Sequence, residues 1–251
     1  MLRRAGQPVA ERVWCLPGDV QPRRGAVAEF LAAAEGLARA LSGSQEVGVG
    51  LLDRHNYTTF WPMVPSALSG NIEVRHAAYP IRCVLWPMGV EYFQAGVEGV
   101  DFENRKVRTD DGDFSYDYLI LAPGSRTAFF GSGAGEHAFD LKGLGQVVQL
   151  RNHVQDCFEE AERLRGEHGD DLLTLVFVGG GTTGVEGIAD THDLIFGILE
   201  EDYPNVDFDR VRLVLVNADE TILKGVDPAL VHAASRRLAS QRVEEIGRAH
   251  V

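Results

Sequence analysis

The stretch LLTLVFVGGGTTGVEG, residues 172–187, constrains the fold more than any other part of the chain. The run Leu172 to Val178 is aliphatic and β-branched apart from Phe177, is interrupted in polarity only by Thr174, and stops on three consecutive glycines. A short run of this kind, bounded by glycine, reads as a strand, and the residues beyond the glycines have helical composition. Gly179, Gly181 and Gly184 satisfy G-x-G-x-x-G. Between a strand and a helix each glycine has its own task. The first permits the tight turn, the second lets the backbone approach a pyrophosphate, and the third lets the helix pack close to the strand. Free N–H groups and the positive end of the helix dipole then face the phosphates. The competing phosphate loop of ATPases needs Lys and Ser or Thr after the last glycine, where this chain has Val185 and Glu186, so that reading is excluded.

The surroundings of the turn extend the pattern. VEGIADTHDLIFGILEED (185–202) reads as a helix, DYPNVDFD (202–209) as a polar loop, and VRLVLVN (211–217) as a second buried strand, the unit from which parallel sheets are built. An acid usually ends this second strand and binds the adenosine ribose, but here the residue is Asn217. Asn can hydrogen-bond a 2′-hydroxyl and carries no charge to repel a 2′-phosphate, so a nicotinamide nucleotide is expected without a fixed choice between NADH and NADPH. The order helix, strand, acid also occurs earlier, in FLAAAEGLARAL (30–41) and VGVGLLD (47–53), which ends on Asp53. Two nucleotide-fold halves are therefore expected.

Between the halves, VEYFQAGVEGVDF, NRKVRTD and GDFSYDYLILA predict a three-stranded β-meander with Asp111-Gly112 as a hairpin turn. Residues 143–167 predict a long helix, with apolar residues at Val147, Val148, Leu150, Val154, Cys157, Phe158 and Ala161. Residues 1–24 are rich in Arg, Pro and Gly without period and are expected to be irregular, with no strand ahead of residue 25.

Composition removes several functions. Lys plus Arg total 24 against 37 Asp plus Glu, a net charge of −13, so nucleic acid is not an expected partner. No apolar run approaches the ~20 residues needed to span a bilayer, and the start lacks the apolar segment of a secretory signal; a cytoplasmic location is expected. Cys15, Cys83 and Cys157 are scattered singly and the eight histidines are dispersed, so neither a metal site nor a local redox dithiol is expected.

With those residues in hand, the chain resembles the type II NADH dehydrogenases, flavoprotein NADH:quinone oxidoreductases of the two-dinucleotide-binding-domain superfamily. The stretches that carry the resemblance are LLDRHNYTTFWPMVPSALSGNIEVRHAAYPIR (51–82), YDYLILAPGSRTAFFG (116–131), LRNHVQDCFEEAE (150–162), FVGGGTTGVEGIAD (177–190) and DYPNVDFDRVRLVLVNADETILKGVDP (202–228). It covers residues 31–244. The fold it implies is α/β, with two Rossmann-like domains, for FAD and NAD(P)H, and a β-meander. The domain boundaries it implies are an atypical N-terminus over 1–30, a partial FAD-binding domain over 31–142, and an incomplete NAD(P)H-binding domain over 143–251.

The resemblance also implies roles. Asp53 would bind the ribose of the FAD adenosine, and Ala122, Pro123 and Gly124 would form the small-residue turn beside FAD. Gly179, Gly180, Gly181 and Gly184 would hold the NADH pyrophosphate, Asn217 would meet its ribose, and Glu186 would be the catalytic acid where nicotinamide and flavin meet. Tyr57 and Pro62 fall in a segment that lines the flavin side. Hydride would pass from NADH to flavin and two electrons on to a quinone. Another flavoprotein reductase with a different acceptor, or a flavin-free nicotinamide-binding module, are the alternative readings. The family further implies attachment of the intact parent to the inner face of the membrane through a C-terminal segment missing here, and a homodimer.

Two stretches depart from the family pattern. The first glycine turn should fall near residues 25–30, where only Gly25 is a glycine and Glu29 stands among Ala, Val and Phe. The last seven residues, EIGRAHV, are foreign to it as well. The expectation is an incomplete chain, truncated at its C-terminus and inactive alone.

Overall fold

The computed structural model describes residues 11–17, 36, 47–122, 124, 127–129, 133–164 and 170–248. The expected helix over 30–41 and the turn over 25–30 lie outside these residues, Gly36 apart, and so does Pro123. The chain divides into two compact units, one of residues 1–61 with 78–127 and one of residues 62–77 with 128–251. Among the described residues no helix is long and apolar enough to cross a membrane.

The first unit is built on a parallel sheet in the order β5-β2-β1-β9, with β1 at Glu11–Pro17, β2 at Val47–Asp53, β5 at Glu91–Gln94 and β9 at Tyr118–Ala122. Strand β1 overturns, over residues 11–17, the expectation of an irregular chain with no strand ahead of residue 25. It pairs in parallel with β2 from Glu11↔Val47 to Cys15↔Leu51 and with β9 from Val13↔Tyr118 to Pro17↔Ala122. ERVWCLP shows no alternation and ends on proline; two flanking strands, both distant in sequence, complete its hydrogen bonding.

Alternation of side chains along β2 divides the core of this unit. Leu51 joins Val49, Ile81, Leu85, Val90 and Tyr92 on one side, and Leu52 joins Ala95, Val107 and Tyr116 on the other. The meander is realised as the antiparallel sheet β6 (Val97–Asp101), β7 (Lys106–Thr109) and β8 (Gly112–Ser115). Two expected strands are each divided. The first breaks into β5 and β6, and the third into β8 and β9, because β5 and β9 leave for the parallel sheet. Gly112 pairs with Thr109 at a φ of +110°, so the two-residue loop is Asp110-Asp111. A smaller antiparallel pair, β3 (Tyr57–Thr59) and β4 (Ala78–Pro80), and a short helix over Ile81–Leu85 also belong to the unit.

The second unit holds the parallel sheet β10-β11-β12, formed by Thr174–Val178, Arg212–Val216 and Val243–Ile246. Its helices include α1 (Val64–Leu68), α2 (Leu144–Leu164), α3 (Thr182–Leu194) and α4 (Pro228–Ser240). The periodic residues Val147, Val154, Phe158 and Ala161 are the buried face of α2. Full burial of a side chain such as Phe158 stabilises by roughly 1.5–3 kcal/mol, and its ring stacks on Phe208 with centroids 5.4 Å apart. Helix α3 runs into a π-helical turn, Ile195–Leu199, that buries Ile195 and Leu199 in the same core as Ile188 and Leu194. The helix expected over 185–202 is thus continuous, with a widened turn in its middle. Beyond it, Glu162 of α2 accepts from the Asn205 backbone N–H at 3.0 Å and also from its side chain, and Tyr203 donates to Glu159 at 3.0 Å, which fixes the loop leading to β11.

Candidate functional site

The glycine turn between β10 and α3 has the geometry that its sequence demands. Gly179 has a φ of +115°, a left-handed conformation that side chains resist. Its N–H donates to the Val216 carbonyl at 2.8 Å, which extends the pairing of β10 with β11 by one residue. A Cβ on Gly184 would stand 1.9 Å from the Gly179 carbonyl oxygen, so only glycine brings the helix this close to the strand. A Cβ on Gly180 would meet the Asn217 side chain at 2.8 Å. Gly181 has open space around it and is the N-cap of α3, in extended conformation and with no side chain satisfying the first-turn N–H groups. A backbone stripped of side chains therefore presents helix N-terminal donors outward, which is the chemistry of a phosphate site.

Asn217 sits against this turn and all its polar atoms are used. Its Oδ1 accepts from the Gly180 N–H at 3.3 Å, and its Nδ2 donates to the carbonyls of Asp219 at 3.1 Å and Thr221 at 2.8 Å. The Leu223 N–H donates to the Gly180 carbonyl at 2.6 Å. The loop after β11 is thus tied to the glycine turn at both Asn217 and Leu223. Sequence reasoning found Asn217 by its place at the strand end; nothing in the sequence shows that the amide is occupied by the loop.

Glu186 lies one turn into α3, on its exposed side. Its carboxyl is held above the usual carboxylate range, first by partial burial and then by the negative charge of Asp190 one turn further on. Asp190 is raised as well, by burial and by Asp193, with the hydroxyl of Ser69, just past the end of α1, acting in the opposite direction. Sequence reasoning did not single out Asp190 or Ser69, although the spacing of four residues from Glu186 places Asp190 on the same helix face.

In the first unit, Asp53, Pro17 and Ala122 are the carboxyl ends of the neighbouring parallel strands β2, β1 and β9. This is the crevice at which open α/β sheets bind ligands. Burial raises the Asp53 carboxyl, opposed by the His55 backbone N–H that donates to Oδ1 at 2.8 Å. Tyr92 donates to the His55 carbonyl at 2.7 Å and holds the residues after β2 in place. Gly124 has a φ of +66°, as a tight small-residue turn requires. Tyr57, half-buried, packs its ring against His55 with centroids 5.4 Å apart. Pro62, in the other unit, is exposed and precedes α1.

Comparison with known proteins agrees with this architecture. Residues 31–251 match the pyridine nucleotide-disulphide oxidoreductase family. The chain is 31% identical over 210 residues to the external alternative NAD(P)H-ubiquinone oxidoreductase B4, mitochondrial, of Arabidopsis thaliana, covering 78% of this chain and 36% of that protein. It is 28% identical over 209 residues to the type II NADH:quinone oxidoreductase of Staphylococcus aureus, covering 83% of this chain and 51% of that protein. Its fold is similar to that of NDH2 from Plasmodium falciparum solved in complex with NADH, with a TM-score of 0.78 at 21% identity, over 94% of this chain and 48% of that one. The chain spans about a third to a half of the length of the relatives it matches.

Proposed function

The chain belongs to the pyridine nucleotide-disulphide oxidoreductase family, and from that premise we propose that it is the nucleotide-binding part of an FAD-dependent NADH:quinone oxidoreductase. The observation that carries the proposal is the glycine turn: Gly179 in a left-handed conformation, Gly184 in contact with the Gly179 carbonyl, and Gly181 capping α3 with bare N–H groups. The relatives named above support the choice of donor and acceptor. Bound nicotinamide and flavin would supply the hydride and electron transfer.

The chain's own residues bind, orient and hold protons. Gly179, Gly180, Gly181 and Gly184 hold a pyrophosphate on backbone donors and keep side chains away from it. Asp53 accepts from the ribose hydroxyls of FAD at the end of β2, and Ala122 and Gly124, with Pro123 between them, form the small-residue turn beside that cofactor. Glu186 keeps its proton to higher pH than an ordinary glutamate and is the acid suited to hold a proton where nicotinamide and flavin would meet. A quinone dissolves in lipid, which supports work of the intact enzyme at a membrane surface, and an NADH donor is consistent with its cytoplasmic face.

The test is the visible spectrum of the purified chain before and after anaerobic addition of NADH. A bound flavin that bleaches on NADH is the expected result for a complete hydride-transfer centre. A colourless chain that binds NADH would confine the function of these residues to nucleotide binding, and a chain that binds neither would overturn the proposal.

A further inference from the structure

The loop that follows β11 carries an ion pair whose position bears on which nucleotide the turn accepts. Asn217 cannot serve a ribose and its own loop together. Its carbonyl oxygen takes the Gly180 N–H, and both amide hydrogens go to the carbonyls of Asp219 and Thr221. Two residues on, Asp219 Oδ1 holds Lys224 Nζ at 2.6 Å, and Lys224 follows Leu223, whose N–H is bound to the Gly180 carbonyl. Leu223 at a φ of +52° and Gly225 at +83° turn the chain sharply on either side of Lys224. The neighbouring Glu220 is held by Arg248. The Lys224 side chain is 75% exposed, so its pair with Asp219 contributes little to stability and can be exchanged for another anion.

We propose that Lys224 is the residue that accepts the 2′-phosphate of NADPH, with Asp219 as its resting partner, and that Asn217 is the latch holding this pair at the rim of the glycine turn. The nucleotide site therefore takes both NADH and NADPH. This inference rests on the reading of the turn as a nicotinamide-nucleotide site. A phosphate presents more negative charge than a carboxylate and three acceptor oxygens, so it competes with Asp219 for the ammonium group. With a neutral amide at the end of β11, no carboxylate at that position repels it.

The experiment is titration of the full chain and its variants with NADH and with NADPH, at low and at high salt. Both nucleotides should bind, and NADPH binding should weaken more steeply with salt. Lys224→Ala should weaken NADPH by about tenfold, the loss of one charge-assisted contact, and leave NADH within about twofold. Asp219→Asn should strengthen NADPH alone, and Asn217→Ala should weaken both nucleotides alike. If NADH binds and Lys224→Ala leaves the ratio of the two affinities unchanged, or if Asn217→Asp raises NADH selectivity at no cost in melting temperature, the inference is overturned and the nucleotide reading stands. If the unaltered chain does not bind NADH, the nucleotide reading falls and this inference falls with it.

Discussion

Gly184 approaches the carbonyl oxygen of Gly179 so closely that a Cβ added to it would stand 1.9 Å away, inside any permitted contact. The clash is with backbone, so no side-chain rotation relieves it. Gly184→Ala should therefore push α3 off β10 and lower stability by about 3 kcal/mol, the upper range for overpacking. Gly181 is the control, because a Cβ there meets nothing within 4 Å and its extended backbone suits any residue. Gly181→Ala should cost at most about 1 kcal/mol, as a poorer N-cap, yet weaken NADH binding by about tenfold or more by obstructing the pyrophosphate. Chemical denaturation with NADH titration separates the two; equal denaturation midpoints for both variants would contradict the packing argument.

Asn217 should act on the fold before it acts on the ligand. Replacing it by Ala removes three hydrogen bonds and leaves the N–H of buried Gly180 without its partner. The expected loss is about 2 kcal/mol, read as a lower denaturation midpoint. Asn217→Asp keeps the bond from Gly180 but sets a carboxylate against the carbonyls of Asp219 and Thr221, so it should be the more damaging change despite its smaller difference in shape. An alanine variant with the parent's midpoint would show that the loop after β11 holds its place without the latch.

The glycine turn was legible from the sequence because its local demands and its tertiary role coincide: the residues that permit the turn also permit the helix contact. Helix α2 was legible for a related reason, since the spacing of Val147, Val154, Phe158 and Ala161 is the spacing of its buried face. Strand β1 was not legible. ERVWCLP has no period, and its identity as a strand comes from partners about 35 and 105 residues further along the chain. The part of Asn217 visible beforehand was its place at a strand end; its hydrogen bonds depend on a loop whose course is set by Gly180 and Leu223. The Asp190–Ser69 contact was hidden likewise, because α1 is brought to α3 by packing across more than a hundred residues.

The acids on α3 give a pH dependence of definite sign. Burial and Asp190 raise the Glu186 carboxyl above its ordinary 4.5, and burial and Asp193 raise Asp190 above its ordinary 3.8. The folded state therefore holds more protons than the unfolded state between those ordinary values and the raised ones. Stability from these groups is greatest at low pH and falls as pH rises through that window. Asp190→Asn, which removes the charge and keeps the shape, should raise the melting temperature at neutral pH relative to the parent, with the advantage vanishing towards pH ~3 where the parent's carboxyl is protonated too. Comparing variant with parent cancels the opposite contributions of carboxylates paired with Arg, such as Glu160 and Glu244. An advantage that grows as the pH is lowered would reverse the assignment.

Tyr92 and Tyr203 should be the late tyrosines in an alkaline titration. Burial pushes both phenols from 10.0 to about 12, with the charge of Asp53 adding to the effect at Tyr92 and the hydrogen bond to Glu159 adding to it at Tyr203. For Tyr203 the sign on stability follows directly. The folded state keeps its phenol proton above the unfolded value, so stability is lost as pH rises from 10 towards 12. Tyr203→Phe should remove one late step from the tyrosinate absorbance and flatten the fall in melting temperature above pH ~10. It should also lower stability at neutral pH by about 1 kcal/mol, because Glu159 loses its donor. The loop at 202–209 gives that loss a location: with Tyr203 released, Glu162 still holds Asn205, so Tyr203→Phe combined with Glu162→Gln should cost more than either change alone. Loss of an ordinary step near pH 10, in place of a late one, for Tyr203→Phe would mean that its hydroxyl meets solvent, and that the clamp between α2 and the loop is made by Glu162 alone.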